Sequence, residues 1–305
     1  MDYAAVVNQI LALFLIIFSG LFLRYRGIIT KELQDGLFKL LVDFILPALI
    51  ISAMQIELKQ ELINNIILIS LFWFITYILL IITVSILGKF SSLPPSKKST
   101  YQFMMIFGNV GYMGLPVLRA VFPEYGVFYA SLGMVIINIF MWTYGVILFN
   151  KNDDKKFEIR SIFNNGVIAL IIGLFFLFTG IELPVSVSQG LEMLGDATFP
   201  ISMLIIGSSL YGIKLKSLFL DFRILVISII KLLIIPVFLF LFFGFFDLPS
   251  IVVGTIIVQI ATPIAANSVL FAARFNGDLK IASKGVFLST MLSLLTIPVV
   301  VWLII

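Results

Sequence analysis

The chain has 305 residues, of which 61% are hydrophobic and only 12% charged, with a mean hydropathy of +1.17 and a formal charge of +4. A soluble domain carries about 25% charged residues, so this chain lacks the polar surface that water requires and reads as an all-α integral membrane protein. It contains neither cysteine nor histidine, which excludes disulfides, Cys/His metal sites, Cys–His nucleophilic pairs and His proton shuttles, and no cofactor is expected.

Windows of about 20 apolar residues mark spanning helices. Ten are predicted, near 5–23, 36–54, 64–88, 101–122, 127–149, 165–181, 190–212, 222–246, 250–273 and 282–304. The opening MDYAAVVNQI lacks the basic stretch of a cleavable signal peptide and runs straight into the first span. One long polar linker, NKNDDKKFEIRS at 150–161, divides the chain into halves of five spans, 1–149 and 162–305.

Lys and Arg orient the spans. The odd-numbered connections carry Arg24, Arg26, Lys97, Lys98, the basic linker, Lys214, Lys216 and Arg274, whereas the even-numbered ones hold little beyond Lys59 and Arg119. The positive-inside rule then makes the linker cytoplasmic and sets both termini outside the cell (inner) membrane. The basic residues are dispersed between apolar spans, so the bilayer is a partner and nucleic acid is not. An odd number of spans per half also inserts the two halves upside down relative to each other.

The halves share motifs in the same order. Span 2 contains Asp43-Phe-Ile-Leu-Pro47 and span 7 contains Asp196-Ala-Thr-Phe-Pro200; span 5 carries Ala130-Ser131-Leu132-Gly133 and span 10 carries Ala282-Ser283-Lys284-Gly285. Spans 4 and 9 each have a proline, Pro116 or Pro263, and an asparagine, Asn109 or Asn267. The nearly constant offset predicts a 5+5 inverted repeat, an architecture of secondary transporters whose site lies where broken helices of the two repeats meet.

The break in span 4 is expected at Pro116, which cannot donate to the Tyr112 carbonyl, with Gly108, Gly111 and Gly114 allowing local unwinding. IATPIAANSVL repeats the device in span 9 at Pro263, beside Thr262. A backbone broken at membrane depth is tolerated only where protein or a wet cavity covers it. Two half-helix N-termini facing such a cavity would suit an anion. Close helix packing through small residues is the structural alternative for the same glycines.

These stretches carry a family resemblance over the whole chain. LVDFILPALIISAM, GNVGYMGLPVL, LGDATFPISMLIIGSSL, TPIAANSVLFAARF and LSTMLSLLTIPVV resemble the second, fourth, seventh, ninth and tenth spans of the auxin efflux carrier family, the plant PIN exporters and their shorter bacterial relatives, some of them named malate or malonate permeases. The resemblance implies a fold similar to that of bile-acid symporters and sodium/proton antiporters. Spans 1, 2, 6 and 7 would form a scaffold and a homodimer contact, and spans 3–5 and 8–10 a moving transport domain in which spans 4 and 9 cross at their prolines. It also implies a substrate carboxylate by that crossing, which carries over onto Asn109, Pro116, Pro263 and Asn267. Phe275 stands where relatives often have Tyr, and the short central loop argues against transferring phosphorylation-controlled export.

Other polar groups join the candidate binding set: Gly111, Tyr112, Gly114, Asn138, Gln259 and Thr262 could line the crossing, or make ordinary interhelical hydrogen bonds. Asp43 and Asp196 lie about two turns, roughly 10 Å, into their spans, where a buried carboxylate would serve as a proton or ion coupling group or, alternatively, cap a helix or pair with Lys. Lys231 in span 8 could attract an anion, neutralise an aspartate, or snorkel to the membrane surface.

The sequence has no ATP-binding GxxxxGK[ST] loop, so gradients rather than hydrolysis would drive transport. The expectation is a secondary transporter of small organic anions, auxin-like or mono- and dicarboxylates such as malate or malonate, working by an elevator movement, with proton or sodium as coupled ions. A sodium/proton antiporter or sodium-coupled symporter on the same fold is the alternative, although spans 4 and 9 carry no acidic residue. An intramembrane enzyme and a passive channel are weaker rivals.

Overall fold

The structure, a computed structural model, describes residues 3–57, 60–149, 164–211 and 221–304. The linker at 150–161 and the basic residues Lys214 and Lys216 lie outside them. Among the described residues there are twelve helices and no strand. They are α1 (Tyr3–Tyr25), α2 (Lys31–Ala53), α3 (Gln60–Lys89), α4 (Pro95–Ile106), α5 (Val110–Val121), α6 (Gly126–Phe149), α7 (Asn165–Thr179), α8 (Val185–Ser209), α9 (Phe222–Phe243), α10 (Ser250–Ile260), α11 (Asn267–Arg274) and α12 (Leu279–Ile304). Helices α2, α3, α6, α8, α9 and α12 are long and apolar enough to cross a membrane, and this is a multi-pass membrane protein.

Local chemistry explains several boundaries. Thr30 caps α2 by accepting the Leu33 amide, and Asn164 caps α7 by accepting that of Val167. Gly180 ends α7 in the left-handed region at φ 67°, where a side chain would be strained.

Two predicted spans are divided. Span 4 becomes α4 and α5, separated at Phe107–Asn109, and span 9 becomes α10 and α11, separated at Ala261–Ala266. Phe107 is extended, with φ −100° and ψ 126°. The break in span 4 therefore lies two turns upstream of Pro116, not at it. Pro116 follows a π turn, Val110–Gly114, and sits in the first turn of regular helix behind it. The same pairing recurs with Leu41–Ile45 before Pro47 and Ile230–Ile234 before Pro236. In those two turns an amide bonds five residues back, Leu46 to Leu41 and Ile235 to Ile230. A proline has no amide to offer and crowds the carbonyl four residues earlier. Widening the preceding turn moves that carbonyl aside, so the helix passes the proline intact.

The chain forms two compact units. The first comprises Met1–Ile67, Gly111–Leu132 and Phe163–Ile213. Here α1 lies along the second half of α8 so closely that a side chain on Gly207 would run into the Ile17 carbonyl, and one on Gly20 into the Leu204 backbone. Such contact is how small residues let membrane helices gain dispersion energy. The second half of α2 packs on α7 and on the first half of α8, with Gly195 against Leu49. Leu41, Ile45 and Ile205 form a small core, against which Tyr112 packs.

The second unit comprises Leu68–Val110, Gly133–Ile162 and Lys214–Ile305. Helices α4, α9, α10 and α11 gather around α12. Tyr101, Met104, Ile224, Ile264, Ile281 and Leu288 make its core. Tyr77 stacks on Trp73, Phe107 and Phe140, with ring centroids 5.5, 5.9 and 5.3 Å apart.

Candidate functional site: a backbone crossing in the second unit

The two interruptions of the second unit meet. Gly108 and Ile264 form an isolated antiparallel bridge. The Asn109 amide donates to the Pro263 carbonyl at 2.7 Å, and the Ala265 amide donates to the Phe107 carbonyl at 3.1 Å. The Ile264 amide is taken by Ser289 Oγ of α12 at 3.0 Å. An unpaired peptide group in a dry interior costs several kcal/mol, so each break supplies the partner that the other lost. Two helices that could not be interrupted singly at this depth can be interrupted together.

Gly108 is required by the approach. A Cβ there would stand 2.5 Å from Thr262 Oγ1 and 3.4 Å from both the Gln259 carbonyl oxygen and Lys231 Nζ. Thr262 itself donates to the Gln259 carbonyl at 2.6 Å, closing the end of α10. Gly133 of α6 plays a comparable part, because a Cβ there would meet the Trp73 indole and stand 2.8 Å from Gln259 Oε1.

Around the crossing the unit is buried and polar at once. Gln259, Thr262 and Lys231 are buried, and Asn109 is half-buried. Lys231 lies in the π turn of α9 with no exposure, and its Nζ has no hydrogen-bond partner among the described residues. The expected ion pair with an aspartate is absent among the described residues, and the side chain does not snorkel to the surface. Trp73 Nε1 and the Tyr77 hydroxyl are likewise buried without a partner.

The structure thus gathers Asn109, Gln259, Thr262, Pro263 and Lys231. Asn138 and Asn267 belong to the same unit but are engaged elsewhere: Asn138 Nδ2 bonds back to the Met134 carbonyl at 2.8 Å, and Asn267 Nδ2 approaches Met141 Sδ at 3.3 Å. Gly111, Tyr112, Gly114 and Pro116 belong to the first unit, where the Tyr112 ring lies 5.4 Å from that of Phe38. Asp43 and Asp196 also belong to the first unit, and both are exposed on the chain rather than buried. Asp43 Oδ1 accepts from Asn165 Nδ2 at 2.9 Å.

Sequence reasoning missed Trp73, Tyr77 and Gly133. The spacing of Trp73 and Tyr77, four residues apart on α3, was the available signal, because it stacks the rings on one helix face. Nothing in the sequence distinguished that pair from ordinary lipid-facing aromatics.

Comparison with known proteins agrees with the apolar architecture. The family model described as "Membrane transport protein" matches residues 5–157 and 152–301. An uncharacterized transporter from Methanocaldococcus jannaschii is 23% identical over 304 residues, an alignment covering 97% of this chain and 98% of that protein.

Proposed function

Starting from a chain that belongs to the membrane transport protein family, the auxin efflux carrier family, we propose that it is a secondary transporter of small organic anions in the cell membrane. Its substrates are mono- or dicarboxylates such as malate or malonate, or auxin-like acids, and their carboxylate is held at the backbone crossing. The observation carrying this reading is the pair of hydrogen bonds joining Phe107–Asn109 to Pro263–Ala265, an interruption of two apolar helices that serves no purpose in a merely structural bundle. The chemistry around it favours an anion over a cation. No Asp or Glu occurs from 95 to 121 or from 250 to 274, whereas amide, hydroxyl and ammonium groups do.

In this reading the ten spans form a 5+5 inverted repeat, and the two segments matched by the family model are in keeping with it. The domain of spans 3–5 and 8–10 carries the crossing and moves elevator-fashion against a dimeric scaffold of spans 1, 2, 6 and 7. Binding energy is spent on the carboxylate, and an ion gradient drives the cycle, with protons as the coupled ion. The exposed Asp43 and Asp196 have no part in the anion site.

Uptake of labelled malate into proteoliposomes, with indole acids and sodium as competitors and with or without an imposed pH gradient, tests the proposal. Saturable uptake that shows counterflow is expected. Sodium or proton flux without uptake of any carboxylate would overturn it in favour of an antiporter.

A further inference from the structure

Among the described residues, Lys231 is the one charged side chain that belongs to the buried set, with 0% exposure. Helices α4 and α12 pack against its π turn, and among the described residues no acceptor reaches Nζ and no ion pair forms. A Cβ at Gly108 would stand 3.4 Å from Lys231 Nζ and 2.5 Å from Thr262 Oγ1, so the end of the lysine lies directly against the backbone crossing. Removing a charge from water without giving it a partner is among the costliest arrangements a fold can hold. A lysine kept in this state is poorly explained by stability, since an apolar residue of the same length would fill the site at lower cost. It is well explained if its partner arrives from outside.

We propose that Lys231 is the charge partner of the transported anion, its ammonium donating to one carboxylate at the backbone crossing. The inference rests on the anion-transport reading and deepens it by naming the group that neutralises the substrate. Among the described residues Lys231 is the one cation buried at the crossing, so one carboxylate is neutralised there. A second carboxylate on the same molecule is left to neutral donors, and a single carboxylate group is the minimal recognised unit.

Thermal unfolding of the purified protein in detergent, with malate, malonate or indoleacetate added, separates the possibilities, alongside the uptake assay. Wild-type protein should be stabilised by at least one of these anions. Lys231→Met should lose that stabilisation and reduce uptake at least tenfold. Its unfolding temperature without anion should rise by about 2–4 °C, because the unpaired charge is gone. Lys231→Arg, which keeps the charge, should retain part of the anion-induced shift. If Lys231→Met keeps the full shift, or unfolds at a lower temperature than wild type without anion, Lys231 is a structural residue and the inference is overturned. If the wild type responds to none of the three anions and transports none, the transport reading itself fails and takes this inference with it.

Discussion

The Asn109 amide donates to the Pro263 carbonyl across 2.7 Å, and through that bond two interrupted helices of the second unit hold each other's loose ends. Its partner bond, from Ala265 to Phe107, completes a two-residue ladder around Gly108 and Ile264. The consequences of this ladder can be measured.

Gly108→Ala should be severe for transport. The new methyl would stand 2.5 Å from Thr262 Oγ1 and press against Lys231 Nζ at 3.4 Å. Overpacking of this kind costs about 1–3 kcal/mol, and uptake should fall about tenfold or more. Gly36→Ala is the control, since a Cβ there meets nothing within 4 Å; it should leave uptake unchanged and raise stability by up to about 1 kcal/mol.

The two prolines should behave differently. Pro263 lies within the break itself, between the end of α10 and the start of α11, and its carbonyl is the acceptor for Asn109. Pro263→Ala loosens the segment that presents that carbonyl, and a fall in uptake is expected with a stability change of about 1 kcal/mol or less. Pro116→Ala instead supplies an amide to a helix whose π turn already accommodated its absence. Its effect on uptake should be the smaller of the two. Parallel proteoliposome assays, normalised to folded protein, check the order.

Asn109→Ala leaves the backbone ladder in place and removes only a half-buried amide side chain. Unfolding temperature should be close to wild type while uptake falls. An unchanged uptake rate would mean that the side chain does not face the anion.

In the first unit, Gly207→Val should prevent normal packing of α1 on α8. Its Cβ would meet the backbone carbonyl of Ile17, and backbone cannot turn aside as a side chain can. A loss of about 3 kcal/mol or more is expected from this clash, visible as a large drop in unfolding temperature. Failure of α1 and α8 to separate, with stability near wild type, would contradict the helix contact described here.

Asp43→Asn should be mild. The side chain is exposed, and the amide oxygen of Asn can still accept from Asn165. Stability should change by about 0.5 kcal/mol or less, and any response of uptake to a pH gradient should persist. Loss of that response would return Asp43 to the coupling machinery.

The sequence by itself determined what depends on composition and local order. Its hydropathy demanded a membrane, its motifs carried the family, and the glycines and prolines of 107–117 and 261–267 announced that two helices would be interrupted. It could not say where. Pro116 is a strong local signal for a break, yet the π turn before it absorbs the proline, and the chain opens instead at Phe107–Asn109. That outcome depends on partners far away in sequence, the Pro263 carbonyl and the Ala265 amide. The charged residues divide in the same way. Position within a hydrophobic window left Asp43, Asp196 and Lys231 each free to be buried or to reach a surface, because a window reports depth along a helix and not which face looks inward. Packing turned the two carboxylates outward and enclosed the lysine beside Gly108. Burial is a property of neighbours, and only the tertiary structure chooses them.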